Sequence, residues 1–150
     1  MSNYSRYEEG SRNLQKLIDK MKDDKFPIIK QARIKPLLDS KAKKTKGKYR
    51  IAELRLADEF IKFFSEMIED HPYDYVLVID KALYNKVEKK DIRRVVFHEL
   101  CHGFKDDNGK YKLVPHDFEG FYDEIPYNED DPDWNLRLSN EMEILHEEGE

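Results

Sequence analysis

At 150 residues the chain is long enough to bury one substantial core and short for two, so a single domain over 1–150 is the expectation. Charged side chains make up 39% of it, and no apolar run approaches the length needed to cross a bilayer, which excludes a membrane-spanning helix. The N-terminus shows no signal-peptide pattern, and the single cysteine, Cys101, excludes an internal disulfide, so a cytoplasmic, reducing environment is expected.

The net charge of −5 hides two opposite halves. Lys30, Arg33, Lys35, Lys41, Lys43, Lys44, Lys46, Lys48 and Arg50 lie in one stretch against Asp39 alone, whereas from Asp117 to Glu150 the only Lys or Arg is Arg137. The mean charge therefore says little about what either surface binds.

In chain order, Leu14, Leu17, Ile18 and Met21 recur at helical spacing and predict an amphipathic helix over about 8–22, ended by Pro27. Ala32 to Leu38 and Lys48 to Leu56 read as extended segments, paired as a hairpin across a long basic loop. Asp58 to Glu69 is helical, with Phe60, Phe63, Phe64 and Met67 three and four apart, and His71-Pro72 closes it. Tyr75 to Ile79 is the clearest strand, bounded by Asp74 and Asp80, and a helical turn around Ala82 to Tyr84 follows. The next helix begins near Lys89 to Asp91 and runs through Ile92, Val95, Val96, Phe97 and Leu100 to His102, with Gly103 as its stop. Apolar on nearly every side, it belongs between two layers. Asp106 to Gly109 is a turn and Lys110 to Val114 is extended. From His116 a further helix is expected, with Phe118, Phe121, Tyr122 and Ile125 on one stripe and Pro126 as its end. The acidic loop and C-terminal tail occupy about 127–150, with Leu136 to His146 as a terminal helix or tail. The pattern is that of an α+β fold, with helices packed on a small, mostly antiparallel twisted sheet, the helix ending at His102 behind it and the His116 helix closing a site.

The buried helix carries His98-Glu99-Leu100-Cys101-His102, an HExxH string. Positions four apart share a helix face, so both imidazoles can grip one metal ion with Glu99 beside an open coordination position. Two imidazoles and a carboxylate among Val95, Val96, Phe97 and Leu100 are costly to bury without a partner, and a metal supplies one. A catalytic zinc takes three protein ligands, and the search for the third separates classes. The metzincin arrangement wants a glycine three and a histidine six residues after the second histidine, where this chain has Lys105 and Asn108. Glu119 or Glu124 would suit a thermolysin-like site. His116 is the better candidate, because the thirteen residues from Gly103 to Pro115 leave room for the chain to reverse and return an imidazole to the ion. His71 and His146 read as solvated surface side chains. Cys101 reads as a small buried apolar residue, and Asp117 as a partner for a ligand histidine or a helix-start charge.

The run Tyr75 to Ile125, with its strand, HELCH and Val114-Pro115-His116-Asp117-Phe118, resembles the phage and prokaryotic metallopeptidases of the zincin superfamily and is similar to the SprT-like group. Asp117 departs from the SprT-like pattern, which has a glycine after the third histidine, and no Cys-x-x-Cys ribbon follows. The resemblance implies a compact minimal zincin with Zn2+ held by His98, His102 and His116 and Glu99 as catalytic base. The expected activity is hydrolysis of peptide bonds in a peptide or protein substrate by metal-activated water, with Glu99 as general base. Tyr73, Tyr122, Tyr127 and Arg137 are equivalent candidates for stabilising the oxyanion. Two other classes compete. One is a non-catalytic metal-stabilised binding module, and the other is a nucleic-acid-associated protein using the basic 41–50 loop through Lys41, Lys43, Lys44, Lys46 and Lys48.

Overall fold

A computed structural model of the chain describes residues 5–117 and 120–148. The elements in order are β1 (Tyr7–Glu9), α1 (Arg12–Lys25), a 3-10 turn (Pro27–Ile29), β2 (Ile34–Asp39), β3 (Lys44–Thr45), β4 (Lys48–Tyr49), β5 (Ala52–Leu56) and α2 (Glu59–Glu69). They are followed by β6 (Tyr75–Asp80), α3 (Lys81–Lys86), α4 (Lys89–Leu100), β7 (Gly103–Lys105), β8 (Tyr111–Leu113), α5 (Glu124–Tyr127), α6 (Trp134–Glu143) and a π-type segment (Ile144–Glu148). The fold is α+β, as the sequence pattern predicts.

The main sheet has the order β1-β2-β6-β5, with β1/β2 and β5/β6 antiparallel and β2/β6 parallel. This corrects the hairpin expected between the segments that become β2 and β5. Those two strands never pair, because β6 inserts between them. The reason is in β6 itself: Tyr75, Val76, Leu77 and Ile79 are buried, so both faces are covered and a neighbour is needed along each edge. The basic loop makes its own two-stranded hairpin, β3/β4, across Lys46 and Gly47. Both turn residues have positive φ, 53° and 80°, the combination a type I′ turn requires.

The N-terminal helix starts later than the periodicity suggests, at Arg12, because Tyr7 to Glu9 pair with β2 as an edge strand. Ser11 then caps it, its hydroxyl accepting from the Leu14 amide at 3.1 Å. One core joins Leu14, Ile18 and Met21 of α1 to Ile34, Leu38, Leu77 and Ile79 of the sheet and Ile92, Val96 and Leu100 of α4. A second joins Val95 on the other side of α4 to Leu83, Trp134, Leu138 and Met142. Buried contacts on two sides make α4 the sandwiched helix expected. The second core also decides between the two readings of 136–146 in favour of the helix: α6 presents Trp134, Leu138 and Met142 inward, and the 128–133 stretch is loop.

No helix starts at His116. Residues 116–117 and 120–123 lack helical structure, and the short α5 contains Pro126, the residue expected to end a helix. Pro126 is tolerated there because the first four amides of a helix have no intrahelical partner to lose. Phe118 and Glu119 lie outside the described residues. His146 also departs from the solvated reading: its Nε2 lies 3.0 and 3.1 Å from the carboxylate oxygens of the buried Asp80. No helix among the described residues is long and apolar enough to cross a membrane.

Candidate metal centre

α4 sets the site because its register places His98 and His102 one turn apart. The helix proper stops at Leu100, but Cys101 keeps a right-handed helical conformation and the His102 amide donates to the Glu99 carbonyl at 3.1 Å, so the second histidine stays on the same face. Gly103 then leaves at close quarters, where a Cβ would lie 3.0 Å from the Ile29 side chain and 3.3 Å from the Leu100 carbonyl. Strands β7 and β8 reverse the chain around a turn in which Asp106 accepts from the Asn108 and Lys110 amides. The buried Tyr75 hydroxyl ties this hairpin to the sheet, donating to the Lys112 carbonyl at 2.7 Å and accepting from the Phe104 amide at 3.2 Å. Burial pushes the pKa of this phenol up to about 12.

The return delivers Val114 alongside His102. The Val114 amide donates to the His102 carbonyl at 2.7 Å, and the Val114 carbonyl accepts from His102 Nδ1 at 2.7 Å. Two residues later His116 meets the pair, its Nε2 3.0 Å from His98 Nε2. Ligand atoms of His98, His102 and His116 all lie within 4.8 Å of one another. The expected trio is thus brought together, by a hairpin and loop in place of a helix.

A carbonyl oxygen can only accept, so His102 carries its proton on Nδ1 and leaves the Nε2 lone pair free. His98 is fixed the same way by Glu124, whose carboxylate oxygens lie 2.9 and 3.0 Å from Nδ1 while also accepting from the Phe121 amide at 2.8 Å. Glu124, considered above as a ligand, therefore engages the edge of His98 that faces away from the cluster. The pattern of the sequence held no periodic signal for this role. Asp117, by contrast, hydrogen-bonds no histidine among the described residues: its carboxylate accepts from the Tyr122 amide, stapling the loop. The Phe121 ring packs against all three imidazoles, with centroid distances of 4.9–5.5 Å, and Trp134 stands 5.9 Å from His98. Three imidazoles with Nδ1 anchored on two of them form a donor set that suits zinc and similar ions.

Glu99 is 7% exposed. One carboxylate oxygen accepts from the Leu54 amide of β5 at 2.9 Å, and the other lies 3.8 Å from His98 Nε2. Both oxygens are thus accounted for, one anchored to the sheet and one directed at the cluster. A cleft of about 770 Å³ opens onto His98, Glu99 and His116, walled by Ile51, Trp134 and Leu136 among others. Of the candidate oxyanion donors, Tyr127 is stacked on Phe97, Arg137 is bound to Asp91 and Asp131, and Tyr73 donates to Glu69. None of the three lines the cleft.

The sequence model of the family described as putative phage metallopeptidase matches residues 2–143, almost the whole chain. The chain belongs to that family. Comparison with curated proteins and with solved structures gave no match. For a metallopeptidase the electrostatics of the three-histidine cluster are apt. Burial raises the Glu99 pKa, with His98 and His102 pulling the other way, so the carboxyl is a better proton acceptor than an exposed glutamate. Burial also opposes the charged form of His98, but the hydrogen bond to Glu124 and the charges of Glu99 and Glu124 outweigh it and raise its pKa. His116 is shifted down, by burial first and then by its two neighbouring imidazoles. Burial raises the Cys101 pKa as well, and its contacts are with the apolar core, in keeping with an inert packing residue.

Proposed function

We propose that this metallopeptidase is a zinc-dependent endopeptidase of the zincin type, with affinity to the SprT-like group, in which His98, His102 and His116 hold the ion and Glu99 is the general base. Zinc, when bound, supplies a Lewis acid that polarises the scissile carbonyl and acidifies water. The remaining work belongs to the chain. Glu99, anchored by the Leu54 amide, takes a proton from the attacking water on its other oxygen and passes it to the leaving amine. Its raised pKa makes it the stronger acceptor in the first of those two transfers. Glu124 and the Val114 carbonyl hold the His98 and His102 imidazoles in the tautomer that exposes Nε2, and Phe121 packs against all three rings. The peptide enters along the cleft, where apolar walls at Ile51, Trp134 and Leu136 receive side chains.

The observation that carries this reading is the second oxygen of Glu99, directed at three converging imidazoles that an open cleft reaches. A merely metal-stabilised module has no need of a buried carboxylate next to the ion. Glu99→Gln is expected to retain one equivalent of zinc while losing peptide hydrolysis by at least about a hundredfold. His116→Ala is expected to lose tight zinc as well. Metal content by mass spectrometry and cleavage of a broad peptide library check both. Equal cleavage by wild type and Glu99→Gln would remove the basis for the peptidase mechanism, and undiminished zinc in His116→Ala would remove the third ligand.

A further inference from the structure

Helix α2 is amphipathic with its apolar stripe turned to solvent. Phe60, Phe63, Phe64, Met67 and Ile68 are 76%, 61%, 49%, 61% and 74% exposed, and Leu56 at the end of β5 is 39% exposed. At about 100° per residue the five helix positions fall in one arc of roughly 140°. On the inward side stands Ser65, buried, its hydroxyl donating to the Lys62 carbonyl and accepting from the Tyr73 amide. The helix is thus seated through a small polar residue and offers its aromatic face outward.

Single exposed apolar residues need no explanation, but a contiguous patch does. A buried aromatic side chain covers about 150–250 Å², so the three phenylalanines alone leave roughly 300–450 Å² bare at these exposures. With Met67, Ile68 and Leu56 the patch reaches on the order of 600 Å². A standard interface buries about 800 Å² per partner, of which about two thirds is apolar in homodimers, or roughly 500 Å². The patch matches that requirement. Charge argues against the alternative of an anionic membrane, because Glu59, Glu66 and Asp70 flank the stripe while the cations Arg33 and Lys35 are engaged with Glu69, and anionic headgroups repel such a flank.

We propose that α2 is the interface of a homodimer, in which the Phe60, Phe63, Phe64, Met67 and Ile68 face of one protomer packs on the same face of a second copy about a two-fold axis. An isologous contact needs no surface beyond the one described, and two straight three-turn helices pack by interlocking their side-chain ridges. Glu59, Glu66 and Asp70 lie beside the stripe, so association strengthens as salt screens them. The cleft is lined by other elements, so the dimer is independent of the catalytic reading.

Sedimentation velocity of the full-length, zinc-loaded chain over a concentration series tests this. The expected result is a concentration-dependent dimer that grows with ionic strength. Phe63→Ser with Phe64→Ser, and separately Met67→Lys with Ile68→Lys, are expected to raise the dissociation constant at least about tenfold for each anchor removed. Circular dichroism and zinc content should stay unchanged. Phe64→Cys, in a chain whose only other cysteine packs against the core, should form a disulfide-linked dimer on mild oxidation. A wild type that sediments as a monomer throughout, a dimer that survives both double variants with its affinity intact, or co-sedimentation of α2 with phosphatidylcholine or phosphatidylglycerol vesicles in place of self-association would overturn the proposal.

Discussion

Glu124 contributes no atom to the imidazole cluster, yet it decides which nitrogen of His98 is available to a metal. Outer partners of this kind change affinity by about 10–100-fold when removed. Glu124→Ala is therefore expected to weaken zinc binding by that factor in a chelator competition titration. Glu124→Gln keeps an acceptor for Nδ1 and should lose less. Asp39 offers a second residue-scale test, in acid. Burial works to raise its pKa, but the paired hydrogen bonds from Arg6 and one from the Lys41 amide outweigh that and hold it below the ordinary carboxylate value. A depressed folded pKa adds stability above the unfolded value of about 3.9, and that stability disappears as pH falls through the folded value. Urea midpoints should therefore separate wild type from Asp39→Asn at pH 7 and draw progressively together once pH falls below the unfolded value of about 3.9.

At the scale of elements, the β7/β8 hairpin is what turns HExxH into a three-histidine site. The Tyr75 hydroxyl hydrogen-bonds both of its strands to the sheet, and the Tyr111 ring packs on Tyr75 beside it. Tyr75→Phe leaves the Lys112 carbonyl and the Phe104 amide short of a partner, at a cost of about 1–3 kcal/mol. A fall of several degrees in Tm is expected, together with weaker zinc binding as His116 loses its fixed approach. Helix α4 and strand β6 were legible in the sequence because their patterns are nearly pure, one a buried helical run and the other a short β-branched one. The helix expected at His116 failed for a local reason. Phe121, Tyr122 and Ile125 have helical spacing, but only Phe121 is buried, and it packs on imidazoles; Tyr122 and Ile125 are 66% and 62% exposed. Spacing alone does not distinguish a stripe that faces a core from a loop that places one ring against a metal site.

For the molecule as a whole, a ligand held only by the native state raises stability by mass action, about 2.7 kcal/mol at a hundredfold excess over its dissociation constant. Zinc should accordingly raise Tm in a concentration-dependent way, chelation should reverse it, and His116→Ala should lose most of the increment; differential scanning calorimetry reads all three. The sequence by itself determined the α+β class, the buried helix, the two histidines on its one face, Glu99 between them and the place where a third histidine returns. These are properties of spacing along the chain, and short-range periodicity carries them. Only the tertiary structure decided that β6 separates β2 from β5, that Glu124 and the Val114 carbonyl orient the imidazoles, that His146 meets Asp80 and that α2 faces outward. Each joins residues brought near by the packing of the sheet and helices, and no periodicity along the chain encodes which distant partner will fill a given hydrogen bond or face.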